Sequence, residues 1–92
     1  MSPAAYVRSV RQQLEKEGLP TEREEFPTKI SGIEFVGAVL RVPETPNSGY
    51  RRGIYTTFRS GYSLSFEVQA RDEERIKQVL VSAVKISSSL SP

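Results

Sequence analysis

The chain has no cysteine and no histidine. The first absence excludes disulfides, thiol nucleophiles and thiolate metal sites, and it leaves the redox compartment open. The second removes the usual general base near neutral pH and the commonest metal ligand. Bond chemistry would therefore fall to carboxylates, lysine, tyrosine or a borrowed cofactor, and no cofactor is implied by the residues themselves. No apolar run approaches the roughly 18–20 residues of a membrane span. The first 15 residues hold two arginines and no long apolar stretch, which is not the pattern of a signal peptide. A strong charge of one sign is also missing. Thirteen basic and 11 acidic residues leave a net charge of +2, too little to imply nucleic acid or an acidic membrane.

What is present is a single small domain of 92 residues, 37% hydrophobic and 26% charged, both ordinary for a soluble globular protein. A chain of this length buries only about 60–65% of its extended surface, so its core is thin. The clearest signal lies at residues 61–70. Tyr62, Leu64, Phe66, Val68 and Ala70 alternate with Ser63, Ser65, Glu67 and Gln69. The period then changes from two to about 3.6. A strand with one wet face feeds a helix there.

Ser2 and Pro3 make a helix start, a capping hydroxyl followed by proline at the first helical position. That helix runs to about Glu17 and stops at Gly18, with Leu19 folding back on Leu14. Its apolar stripe, Tyr6, Val7, Val10 and Leu14, is narrow, with Arg8, Arg11, Glu15 and Lys16 on the other side. A narrow stripe predicts shallow docking and the less stable of two helices. Residues 19–27, acidic and bracketed by prolines, read as a solvated linker. Residues 28–30 and 33–35 around Ser31-Gly32 read as a tight hairpin. The second strand continues to Val42 and is apolar on both faces: Val36, Ala38, Leu40 and Val42 on one, Phe35 and Val39 on the other. Residues 43–49 are a loop by composition.

Residues 50–58 form the third strand. A two-residue turn at 60–61 pairs Tyr55 with Phe66. A three-residue loop at 59–61 pairs Phe58 with Tyr62 and Ile54 with Phe66, and is preferred because it gathers apolar residues on one face. Asp72 caps the last helix, with Glu73 and Glu74 in its first turn. Ile76, Val79, Leu80, Ala83 and Val84 are its seam, and residues 87–92 read as a flexible polar tail. The fold class is α+β: an antiparallel meander of about four strands with one helix before it and one after.

Little here carries chemistry. Asp72, Glu73 and Glu74 point in different directions on a helix start, where capping explains them better than metal binding. Glu34 and Glu67 sit on strands as solvent-facing residues, without the cleft that paired-carboxylate catalysis needs. Gly49, Gly53 and Gly61 match no nucleotide loop and read as turn and close-approach positions. The stretch Tyr50, Arg51, Arg52, Gly53, Ile54, Tyr55 is the one candidate site. With Arg41 and Arg59 it sets four arginines against one acid, Glu44, between residues 41 and 59. Aromatics interleaved with arginines can stack bases and hold phosphates, but arginines also guard sheet edges, and the near-neutral whole chain favours the latter.

Ile30-Ser-Gly-Ile-Glu-Phe35, then Gly61-Tyr-Ser-Leu-Ser-Phe66 ahead of an acidic-capped helix, and Val79-Leu-Val-Ser-Ala-Val-Lys-Ile86 resemble the second half of the PsbP-like superfamily domain, over about residues 28–86. That superfamily includes extrinsic photosystem subunits, a Ran-binding nuclear transport factor and bacterial lipoproteins. The resemblance implies an α-β-α layered sheet used as a binding platform, a bacterial source, export after removal of a signal, and a chain that is the C-terminal part of a longer protein. It places no functional residue on this chain.

The leading expectation is a non-catalytic, protein-binding domain, self-associating if the two-sided second strand has no other cover. Its contact residues would be Tyr50, Arg51, Arg52 and Tyr55, with Arg41, Arg59 and the loop at 43–49. The alternatives are nucleic-acid binding through the same arginines and, more remotely, a carboxylate-centred enzyme. Neither a small-molecule substrate nor a membrane span is indicated.

Overall fold

A computed structural model describes residues 2–43, 50–59 and 61–90, at 59, 62 and 85–90 by backbone alone. The elements run α1 (Pro3–Lys16), β1 (Thr21–Ile30), β2 (Ile33–Val42), β3 (Tyr50–Arg59), β4 (Tyr62–Ala70) and α2 (Glu73–Leu90). The strands make one antiparallel sheet in the order β1-β2-β3-β4. This is the expected α+β order of helix, four strands, helix.

The starts and stops follow local chemistry. Ser2 Oγ accepts from the Ala5 N–H at 3.1 Å and Pro3 opens α1. Past Gly18 the Leu19 N–H donates back to the Leu14 carbonyl at 3.1 Å. Ser31 and Gly32 both have positive φ, 51° and 79°, as a two-residue hairpin of the twist-matched kind requires. Asp72 Oδ1 accepts from the Arg75 N–H at 2.8 Å and caps α2. That helix continues through residue 90, four residues into the stretch read as a tail.

The two helices pack on opposite faces of the sheet. Leu14 of α1 meets Leu40 and Ile54, with Val10 and Leu19 beside them. Ile76, Leu80 and Val84 of α2 meet Ile30, Phe35 and Tyr55. Because alternate residues of a strand face opposite ways, β2 and β3 need apolar side chains on both faces, and they have them. The two-sided pattern of β2 is thus satisfied within this domain. It gives no ground for a missing segment or a second subunit.

Four expectations are corrected. Residues 21–27 are strand, not linker, and join the expected strand at 28–30 as one β1, although the register slips between Thr21 and Arg23 and again between Arg23 and Phe26. Arg11 is only 8% exposed, on the inner side of α1. Val79 is 51% exposed and lies outside the α2 seam. The β3–β4 register is the one set aside: Tyr55 faces Phe66 and Arg59 faces Tyr62, the pairing of the shorter turn. Leu64, Phe66 and Val68 consequently share the face of Tyr55, with Phe66 and Val68 packed on the core under α2, whereas Ser63, Ser65 and Glu67 lie beside Phe58, Thr56 and Ile54 on the α1 face. Phe58 is left 40% exposed.

Candidate protein-binding edge

The arginine–tyrosine stretch of β3 does not form one surface. Period two sends Arg51 and Tyr55 to the α2 face and Tyr50 and Arg52 to the α1 face. Arg51 is held by the Glu22 carboxylate at 2.5 Å and by the Arg71 carbonyl at 2.9 Å. The Glu22 hydrogen bond raises its pKa further above the ordinary arginine value. Arg52 donates to Gln69 Oε1 at 3.1 Å across the β3–β4 pair. Tyr50 is half-buried, with the Arg71 guanidinium 5.8 Å from its ring centre. Arg41 stands opposite Arg51 and is exposed. Arg59 ends β3 opposite Tyr62. Residues 44–49 of the adjoining loop lie outside the described residues.

Tyr55 is a core residue and not a contact residue. It is 1% exposed. Its ring lies across two glycines: a Cβ on Gly37 would sit 2.5 Å from the ring, and one on Gly53 would sit 2.6 Å from it. The small residues on β2 and β3 therefore make the slot in which the ring lies flat on the sheet, below Ile76. Phe26 closes the slot edge-on at 6.0 Å between ring centres. The Tyr55 hydroxyl is buried with no hydrogen-bond partner among the described residues. Burial pushes its pKa up to about 12, and the nearby Glu73 carboxylate adds to the shift.

The carboxylates are spread out. Glu34 and Glu67 are both exposed. Glu34 borders an open hollow of about 720 Å³ beside the β1–β2 hairpin, lined also by Pro3, Lys29, Val36 and Phe58, and among the described residues it is the single carboxylate in that lining. Glu73 pairs with Arg23 at 3.5 Å. Among the described residues no three acidic, histidine or cysteine side chains converge as a metal site, and no helix is long and apolar enough to cross a membrane.

The feature that sequence reading passed over is the pair of sheet edges. At one edge, β1 carries Pro27, two register slips and the charges Glu22, Arg23, Glu24, Glu25 and Lys29. Each of these discourages a further strand from pairing. At the other edge, β4 matches β3 residue for residue over its full nine-residue length, with no slip. It holds no proline and one charge, Glu67. Nothing among the described residues pairs with its outer side. The signal was available in the sequence, because the uninterrupted alternation that identifies β4 contains no proline and only one charged residue.

Comparison with known proteins finds no matching family model, no matching curated protein and no matching solved structure.

Proposed function

We propose that this domain is a non-catalytic protein-binding module whose binding element is the outer edge of β4, acting by addition of an extended strand from a partner. The observation that carries this reading is the contrast of edges, one guarded by proline, slips and charge, the other regular and nearly uncharged. Strand addition draws affinity from main-chain hydrogen bonds and specificity from alternate side chains. Here the incoming strand would extend two different surfaces. Half-buried Leu64, Phe66 and Val68 border it on the α2 face, and exposed Ser63, Ser65, Glu67 and Gln69 border it on the α1 face. A binding platform is also what the PsbP-like resemblance implies. That resemblance rests on its short motifs, since a helix on each face of a sheet is common to many unrelated folds. The nucleic-acid alternative has less support, because Arg52 lies on the opposite face from Arg41 and Arg51, and Arg51 is already engaged by Glu22.

The test is selection of ligands from a random peptide display library against the intact chain, followed by amide chemical-shift mapping. Selected peptides are expected to alternate apolar and polar residues and to perturb amides of β4. They are expected to lose binding to a Ser63→Lys/Ser65→Lys variant, whose two added charges guard the edge. Ligands that map to the hollow beside Pro3 or to the α1 surface, or failure to select any, would overturn the reading.

A further inference from the structure

We infer that the strand which β4 accepts is β4 of a second copy of this chain, in an antiparallel pair centred on Phe66; this rests on the edge reading above. Three observations carry it. The first is geometric. Two copies related by a two-fold axis through a continuous antiparallel sheet must keep paired side chains on the same face, so the axis has to pass beside a residue and not between two residues. Placing it at Phe66, the middle of Tyr62–Ala70, pairs all nine positions. Any other centre leaves residues unpaired at both ends.

The second observation is charge. With Phe66 at the centre, Glu67 of each copy faces Ser65 of the other, and Ser63 faces Gln69. No like charges meet. Moving the axis one residue to Glu67 sets the two carboxylates directly opposite, which is unfavourable. A net charge of +2 per chain adds little repulsion between copies. The third observation is the apolar set. Leu64 faces Val68 of the other copy and Phe66 faces its own counterpart, so the residues that α2 leaves half-buried cover one another across the axis. The exposed face of β4 offers hydroxyl, amide and carboxylate partners to the same face of the second copy. An unrelated strand would have no such built-in match.

The experiment is sedimentation equilibrium of the intact chain with three variants. Wild type is expected to dimerise reversibly, with amide exchange of β4 slowing as concentration rises and that of β1 unchanged. Ser65→Glu sets the introduced carboxylate against Glu67 of the other copy twice over, and should weaken the dimer roughly tenfold. Ser65→Glu/Glu67→Lys converts both contacts to opposite charges and should restore it. Because Ser65 also shares a 2.9 Å hydroxyl contact with Thr56, the melting point of each variant is taken in dilute solution, to separate lost folding from lost pairing. Glu67→Lys alone leaves a lysine facing serine and should associate about as well as wild type. A wild type that stays monomeric to about 1 mM overturns the dimer, while peptide ligands that still map to β4 would leave the broader edge reading standing. A dimer indifferent to Ser65→Glu, or one not restored by the double change, overturns the Phe66-centred register.

Discussion

The two edge strands of this sheet are built on different principles. β4 is held by regularity, with every residue matched to β3 and Phe66, Val68 and Ala70 packed against the core under α2. β1 places Ile30 and Phe26 in the core and is held besides by charge. Glu25 receives hydrogen bonds from Arg8 and Arg11 of α1, Glu22 pairs with Arg51 of β3, and Arg23 pairs with Glu73 of α2. One strand is thus clamped to three elements by side chains, and that clamp compensates for the interrupted ladder of β1. The features that close β1 to outside strands are the ones that tie it inward. β4, which needs no such ties, is left open.

The largest test of this contrast is Glu25→Ala. The Arg11 and Glu25 side chains are each about 10% exposed, and Arg11 also meets Glu15 and the Thr21 hydroxyl. Removing one partner of a buried pair leaves an uncompensated charge, at a cost of about 3–5 kcal/mol. Arg11 keeps Glu15 and Thr21, so we expect about 2–3 kcal/mol, seen as a fall in melting temperature of roughly 10–20 °C. The equivalent change on the open edge, Glu67→Ala, should stay within about 0.5 kcal/mol, as for an ordinary surface site. Equal effects of the two would break the contrast. The pH dependence sharpens it. The hydrogen bond from Arg11 holds the Glu25 carboxyl below the usual carboxylate range, against the opposing effect of burial. A depressed folded-state pKa gives stability that is fully present above the unfolded value of about 4.3 and is lost as pH falls below it. Wild type should therefore lose stability through that window, and Glu25→Gln should show less of the loss.

The same contrast explains what could be read in advance. The architecture, the first hairpin, both helix starts and the limits of β2 followed from capping residues, turn residues and periodicity. β4 was legible because alternation without interruption is the strongest strand signal. The first seven residues of β1 were not, because Pro27, Glu22, Glu24 and the two slips erase the period-two pattern; protection of an edge and legibility of a strand oppose each other. The β3–β4 register was misread for a related reason. Ile54 and Tyr55 are both buried, so β3 offers an apolar residue to either face and polarity alone does not choose the turn. Arg11 read as a surface residue because its partner, Glu25, lies 14 positions away in a strand that was itself unrecognised. At the candidate site, the arginines were visible but the separation of Arg52 from Arg41 and Arg51 follows from the strand period, and Tyr55 looked available because Gly53 makes only part of its slot and Gly37, on a neighbouring strand, makes the rest.

A second test removes a guard. Pro27 has no N–H and so interrupts the donors along β1. Pro27→Val restores one donor and adds a β-branched side chain. The fold should change by no more than about 1 kcal/mol, while light scattering at rising concentration should report new association. In a Ser65→Glu background, where the other edge is repelled from itself, any added association belongs to β1. If scattering is unchanged there, the slips and charges suffice without the proline, and the guard is redundant.

The smallest effect is expected from Arg23→Ala. The Arg23–Glu73 pair is exposed at both ends, 48% and 35%, and spans 3.5 Å. Such pairs are worth about 0–1 kcal/mol. The guanidinium also sits 3.7 Å from the centre of the Phe26 ring, a cation–π contact that adds about 0.5–1 kcal/mol at an exposed site. The two contacts share one side chain, so their sum should stay near about 1 kcal/mol, well below the effect at Glu25. A double-mutant cycle with Glu73→Ala, read by denaturant unfolding, separates them: the coupling term reports the ion pair and the remainder reports Phe26. A coupling near zero means that β1 is clamped to α1 and β3 and merely rests against α2. A coupling above about 1 kcal/mol means that α2 holds it as well, and all three ties then contribute to the contrast with β4.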